Sequence, residues 1–167
     1  MKKNALWTQI ARRALWVMAA LFVLGACKPK DNGAADAPQA TAQDSIQLSL
    51  AQWSMHRMIW EQGADPYSFA EKAHAWGFEG LEYVSALYYK ELEPQGFSAE
   101  AMAAFVEKSN AAAQAHGMKN LLIMIDGQGN LAAESAEERK AAAENHHKWV
   151  DAAAAMGCHS IRVNLAG

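Results

Sequence analysis

The chain contains only two cysteines, Cys27 and Cys158, and they lie too far apart in sequence to suggest a metal-binding motif. If Cys27 is lipidated, as argued below, Cys158 stands alone and no intramolecular disulfide can form. Cys158 opens a predicted apolar strand, so we expect a buried, unreactive thiol there. The motifs G-x-S-x-G, the Walker loop and H-E-x-x-H are also missing, which removes the commonest sequence signatures of hydrolases, nucleotide-binding proteins and zinc proteases.

Basic charge is scarce outside the N-terminal segment. The 167 residues carry a net charge of −3, and all four charged residues before Cys27 are basic. The rest of the chain therefore has 11 basic and 18 acidic residues, a net charge of −7. Because nucleic-acid binding requires a basic surface, we expect no nucleic-acid partner.

Apolar runs long enough to span a membrane are absent too. The run from Ala14 to Ala26 has 13 residues, which suits the apolar core of a signal peptide and is short for a membrane span. Basic residues precede it, and Leu24-Gly25-Ala26-Cys27 follows the bacterial lipobox pattern, in which the cysteine becomes the lipidated first residue. We predict a lipoprotein signal peptide at 1–27, lipidation at Cys27 and an exported, membrane-anchored protein facing the periplasm. An ordinary N-terminal anchor with a chance cysteine is the alternative.

Residues 28–44 are polar and rich in Ala, Pro, Gly and Asp. Such a segment cannot bury an apolar core, so it is predicted to be a flexible tether. The folded part is therefore predicted to span residues 45–167.

Three glycines, Gly77, Gly117 and Gly157, are spaced 40 residues apart, and each closes an Ala-rich stretch. Each is followed four residues later by a branched aliphatic residue. A helix that ends on glycine and leads into a short apolar strand, three times over, predicts a βα repeat with parallel strands. The predicted strands are 46–53, 80–84, 120–125 and 160–165. The predicted helices begin at the capping residues Asp65, Ser98 and Ser135.

The predicted strands have two different faces. One face is apolar and should pack against the helices: Leu81, Tyr83, Leu121, Ile123, Ile125, Ile161, Val163 and Leu165. The other should face a barrel interior: Glu82, Leu122, Met124, Asp126, Ser160, Arg162 and Asn164. The 40-residue spacing aligns Glu82 with Arg162, so we expect these side chains to meet across the interior, as a functional pair or a structural ion pair.

Polar side chains near the carboxyl ends of barrel strands are where barrel enzymes place their chemistry. His56, in the string WSMH, is the histidine that follows the carboxyl end of a predicted strand. We therefore favour it for substrate contact over a loop histidine without a role. The GQG string at 127–129 is either a short phosphate-binding loop or a plain turn, and a plain turn is favoured.

Four strings occur in order at barrel spacing: SLAQWSMHR, GFEGLEYVS, HGMKNLLIMIDGQGNL and AMGCHSIRVNLAG. Together they resemble the xylose isomerase-like TIM-barrel superfamily, and more narrowly its sugar phosphate isomerase/epimerase branch, which includes exported lipoprotein-type members. The resemblance covers about residues 46–167 and implies an α/β fold, a (β/α)8 TIM barrel of which about the first four βα units are present. A full barrel needs about 250 residues, so we expect the natural product to be longer.

The resemblance implies a metal-dependent isomerase or epimerase that moves a proton next to a carbonyl of a sugar or polyol. A divalent ion such as Mn²⁺ or Mg²⁺ would polarise the substrate oxygens. The family's metal ligands come from the second half of the barrel, so no metal ligand is assigned in this sequence, and the chain alone is expected to be inactive. Substrate-binding positions that match the supporting half are Trp53, His56, Glu82, Asp126, Arg162 and Asn164.

Two other functions are alternatives to the isomerase. A non-catalytic carbohydrate-binding lipoprotein would use Trp53, Trp60 and Tyr88 to stack on sugar rings, although buried aromatic residues are more often core. A metal-dependent endonuclease of the same superfamily is opposed by the acidic charge and the export signal. A half barrel would also leave strands one and four with open edges, through which a second copy could associate.

Overall fold

Four parallel strands form one sheet in the computed structural model, which describes residues 46–166. The strands follow chain order, and each is hydrogen-bonded to the next in parallel. Their bounds are β1 Ser49–Ala51, β2 Gly80–Val84, β3 Lys119–Ile125 and β4 Ser160–Val163. The predicted α/β class and parallel strands are confirmed, although β1 and β4 are shorter than predicted.

The helices lie between these strands. The three predicted ones start directly after their capping residues, the first through a 3-10 turn at Pro66–Ser68. Asp65, Ser98 and Ser135 each accept a hydrogen bond from a backbone N–H in the first turn that follows. This satisfies donors that the start of a helix leaves unpaired. The helices are α1 His56–Trp60, α2 Phe69–Ala75, α3 Tyr89–Leu92, α4 Ala99–Ala115 and α5 Ala136–Ala155. No helix within residues 46–166 is long and apolar enough to cross a membrane.

The strand order determines where the helices pack. When parallel strands follow chain order and their crossovers share one hand, every crossover helix falls on the same side of the sheet. That side is the core, in which strand residues meet aromatic side chains from the helices. Its buried members include Leu81, Tyr83, Ile123, Ile125, Phe69, Phe105 and Trp149. Glu82, Leu122 and Arg162 belong to the opposite face.

The predicted Glu82–Arg162 contact is wrong. Glu82 lies opposite Leu122, but Leu122 lies opposite Ser160, so Arg162 pairs with Met124 instead. Arg162 is therefore one layer nearer the carboxyl edge of the sheet than Glu82. The 40-residue spacing of the glycines fixes the order of the elements, whereas the register depends on how β3 and β4 hydrogen-bond.

Leu121 is also on the other side of the sheet from the one predicted. The β2–β3 register shifts after Leu81, which pairs with Asn120, while Glu82 pairs with Leu122. Leu121 is the extra residue of this bulge. A Cβ added to Gly80 would lie 2.4 Å from Leu121 Cδ1, so the leucine side chain lies on the Glu82 face.

Two further apolar residues are exposed against expectation. The spacing of Phe69, Ala73 and Trp76 predicts one buried stripe on α2, but Trp76 is 51% exposed, because the helix ends at Ala75. Leu165 is predicted to face the helices but is 68% exposed, because it lies beyond the last residue of β4.

Candidate functional site

Three polar side chains meet at the carboxyl edge of the sheet, where β3 and β4 end. Asn164 Nδ2 donates to Asp126 Oδ1 at 2.9 Å, and Arg162 Nη1 donates to Asn164 Oδ1 at 2.8 Å. Arg162 Nη2 lies 3.6 Å from Asp126 Oδ1, which closes an ion pair. We call Asp126, Arg162 and Asn164 the polar triad.

Two members of the polar triad, Asp126 and Arg162, line a cavity of about 310 Å³ together with Trp53, Val84 and Met124. The Arg162 side chain is 47% exposed and that of Asp126 is 28% exposed, so both remain accessible to a ligand. Asp126 Oδ2 makes no hydrogen bond with any residue in the described part of the chain. Asp126 and Arg162 carry the charged groups among the lining residues, but nearly all of the lining surface is apolar.

An aromatic cluster stands at the rim of this cavity. The His56 ring stacks on the Trp53 ring with centroids 4.7 Å apart, and Trp60 meets Trp53 edge-on at 5.2 Å. His56 Nδ1 is 2.7 Å from the Trp53 carbonyl oxygen. These contacts hold the Trp53 ring from one side and leave it 45% exposed.

A second group of side chains holds the backbone of Asp126. Its N–H donates to Ser85 Oγ at 3.0 Å, and its carbonyl accepts from the Tyr89 hydroxyl. Gln128 Nε2 donates to the Tyr89 oxygen at 2.6 Å, while Lys148 Nζ donates to Gln128 Oε1 at 2.6 Å. This relay runs from α5 to the end of β3, so it fixes the direction in which Asp126 leaves the strand.

The charge states of this relay follow from its burial. Burial raises the pKa of the Tyr89 hydroxyl, an effect that hydrogen bonds with Ser85 and Gln128 reduce. Burial lowers the pKa of the Lys148 ammonium. Tyr89 therefore stays protonated near neutral pH and serves as a donor to the Asp126 carbonyl.

The relay residues are not among the site residues predicted from the sequence. Ser85 directly follows the last residue of β2, just as Asp126 directly follows the last residue of β3. This shared position could have identified Ser85 as a site residue from the sequence. Gln128 sits in the GQG string, where Gly127 and Gly129 take φ values of +67° and +101°. The string forms a bend, and its glutamine is 7% exposed.

The structure brings most of the predicted site residues to one place. Trp53, Asp126 and Arg162 line the cavity, Asn164 is hydrogen-bonded to Asp126 and Arg162, and His56 stacks on Trp53. Glu82 is not part of the cavity lining; its Oε1 accepts a hydrogen bond from Ser49 Oγ at 2.5 Å. The predicted lipidation site Cys27 lies outside the described residues.

The residues present do not fit the divalent metal that the family resemblance implies. No group of three or more His, Cys, Asp or Glu side chains within residues 46–166 is arranged to hold an ion. Asp126 is already paired with the Arg162 guanidinium, whose charge opposes a cation at this carboxylate. We therefore derive no step that passes through a metal.

Comparison with known proteins does not identify a family or a function for this chain. No protein-family model matches the sequence, and no match to a curated protein is found. The features that bear on function are therefore the polar triad, the exposed Trp53 ring and the cavity that they border.

Proposed function

We propose that the chain supplies the substrate-binding half of a sugar or sugar-phosphate isomerase or epimerase with a xylose isomerase-like TIM barrel. The strand order supports this proposal, because a parallel sheet in chain order with helices on one side is the arrangement of a barrel segment. A doubly wound sheet would instead reverse its strand order and carry helices on both sides.

The observation that carries the proposal is the polar triad facing Trp53 across the cavity. A sugar presents hydroxyls that both donate and accept hydrogen bonds, together with an apolar ring face. The unpaired Asp126 Oδ2 accepts from one hydroxyl, and the Arg162 guanidinium donates to a neighbouring one. Trp53 packs against the ring face, as aromatic side chains with one exposed side do.

The roles assigned to this chain are binding and orientation. Proton transfer beside a carbonyl requires a substrate held in one orientation, because misplacement of the reacting carbon lowers the rate. The relay behind Asp126 provides that rigidity by fixing the backbone at both its N–H and its carbonyl.

Calorimetric titration of the full chain with D-xylose, D-glucose and D-fructose tests this proposal. We expect Asp126→Ala and Arg162→Ala each to weaken sugar binding by about tenfold, since each removes a charged hydrogen-bonding partner. Arg57→Ala is the matched control, because Arg57 is exposed and does not line the cavity. Sugar affinities that are the same in all three variants as in the unmodified chain would contradict the assignment.

The alternative is a non-catalytic carbohydrate-binding lipoprotein. One observation favours it: the triad and Trp53 already form a set of hydrogen-bonding and stacking groups that needs no further component. Comparing the affinities for D-glucose and D-fructose separates the two functions. Comparable affinity for the aldose and its ketose favours the isomerase, which must bind both, whereas binding of one of them alone favours simple binding.

A further inference from the structure

A second cavity lies beside the aromatic cluster. It has a volume of about 420 Å³ and is bordered by the segment after β1, which includes Trp60 and Asp65, and by the segment after β2, which includes Leu87, Lys90 and Glu91. Both segments follow the carboxyl ends of their strands. This cavity therefore opens toward the same edge of the sheet as the cavity of the polar triad.

Two tryptophans connect the two cavities. Trp53 lines the first cavity and Trp60 lines the second, and their ring centroids are 5.2 Å apart. Trp60 is 54% exposed and Trp53 is 45% exposed. A large aromatic ring that stays exposed gives up the free energy of burial. Because the two ring planes are nearly perpendicular, at 86°, they offer two separate stacking faces, one for each ring of a ligand with two linked rings.

The charges around the second cavity oppose an anionic ligand. Two carboxylates, Asp65 and Glu91, line it against the single ammonium of Lys90. The nearby ammonium of Lys108 is already paired with Glu91 at 2.5 Å. A phosphate placed here would meet carboxylates rather than a set of free cations, so a neutral group fits this cavity better.

From these contacts we infer that the site takes a neutral disaccharide rather than a monosaccharide or a sugar phosphate. One ring of the ligand lies on Trp53 beside the polar triad, and the next ring lies on Trp60 in the second cavity. This inference rests on the proposed function, because it extends the sugar site at the triad by one ring. It names the substrate class that the resemblance alone leaves open.

The test is a titration of the full chain with glucose, glucose 6-phosphate, maltose and cellobiose. Binding is measured by tryptophan fluorescence and by calorimetry. We expect at least one of the disaccharides to bind about tenfold more tightly than glucose, and Trp60→Ala to weaken disaccharide binding more than glucose binding, so that the difference is lost. Trp76→Ala is the matched control, because Trp76 is equally exposed but does not line either cavity.

The outcomes separate this inference from the proposed function. Glucose and both disaccharides binding with equal affinity, unaffected by Trp60→Ala, would overturn the second ring position and leave the triad site intact. Tighter binding of glucose 6-phosphate than of either disaccharide would overturn the neutral-ligand assignment. No binding of any of the four sugars would overturn both the inference and the triad site.

Discussion

Gln52 shows how one buried polar residue joins the two segments that border the second cavity. Its side chain is fully buried; Nε2 donates to the Tyr88 hydroxyl at 2.8 Å and to the Pro66 carbonyl at 3.0 Å. Its Oε1 accepts from the Val84 N–H at 3.1 Å. The glutamine thereby ties the turn after β1 to the end of β2 and to the loop before α2.

Replacing Gln52 with leucine keeps the volume but leaves these partners without their hydrogen bonds. We expect Gln52→Leu to lower the free energy of unfolding by about 2–4 kcal/mol, because buried unpaired polar groups are costly. Urea denaturation measures the change. Gln95→Leu is the control, since Gln95 is exposed and makes one bond to a neighbouring carbonyl. Equal unfolding midpoints for the two variants would contradict the role given to Gln52.

Cys158 is half-buried, and burial raises the pKa of its thiol to about 11. Only the thiolate reacts, so the folded protein should resist alkylation near neutral pH. In a Cys27→Ser variant at pH 8, we expect iodoacetamide to modify Cys158 on the order of 100-fold more slowly in the native than in the urea-unfolded chain. Equal rates in the two states would show that the thiol is ordinary.

At the scale of elements, the bulge between β2 and β3 determines which of their residues lie side by side on the sheet face opposite the helices. Gly80 faces Leu121 there, and a Cβ at this position would lie 2.4 Å from Leu121 Cδ1 and 3.0 Å from Ser49 Cβ. The absence of a side chain at Gly80 therefore lets three neighbouring strand residues share the space at the amino end of the sheet.

Gly80→Ala should force Leu121 out of its position and cost about 1–3 kcal/mol of unfolding free energy, as overpacking does. Leu121→Ala provides space for the new methyl group. We therefore expect the double variant to be more stable than the sum of the two single changes predicts. Denaturation of the four proteins in a double-mutant cycle measures the coupling. Additive changes would show that the two side chains do not share this space.

At the scale of the whole molecule, the proposed anchor and the acidic folded part fit an exported lipoprotein. The prediction concerns Cys27, which precedes the polar segment 28–44. In a bacterial host we expect labelled palmitate to be incorporated into the unmodified chain and into Cys158→Ser. Cys27→Ser should lose the label, because it removes the thiol that carries the lipid. Label retained in Cys27→Ser would contradict the lipoprotein assignment.

Several features of the fold were predictable because their causes are local in the sequence. Asp65, Ser98 and Ser135 cap helices through hydrogen bonds to residues two or three positions away. The alternation in β2 assigns Leu81 and Tyr83 to the core from neighbouring residues alone. Such patterns need no knowledge of distant segments, so the order of the strands and of the three capped helices was predicted correctly, whereas the short helices α1 and α3 were not predicted.

Which side chains of the candidate site lie side by side depended on the tertiary structure. Arg162 pairs with Asp126 rather than Glu82, because the register of β3 against β4 and the bulge at Leu121 are set by hydrogen bonds between distant strands. Gln128 joins the site because it reaches Tyr89 and Lys148, which are far from it in sequence. The sequence by itself determined the four strands, the three capped helices, their order and most residues at the carboxyl edge of the sheet. The tertiary structure decided which of them touch, because side chains choose partners only after the strands have paired.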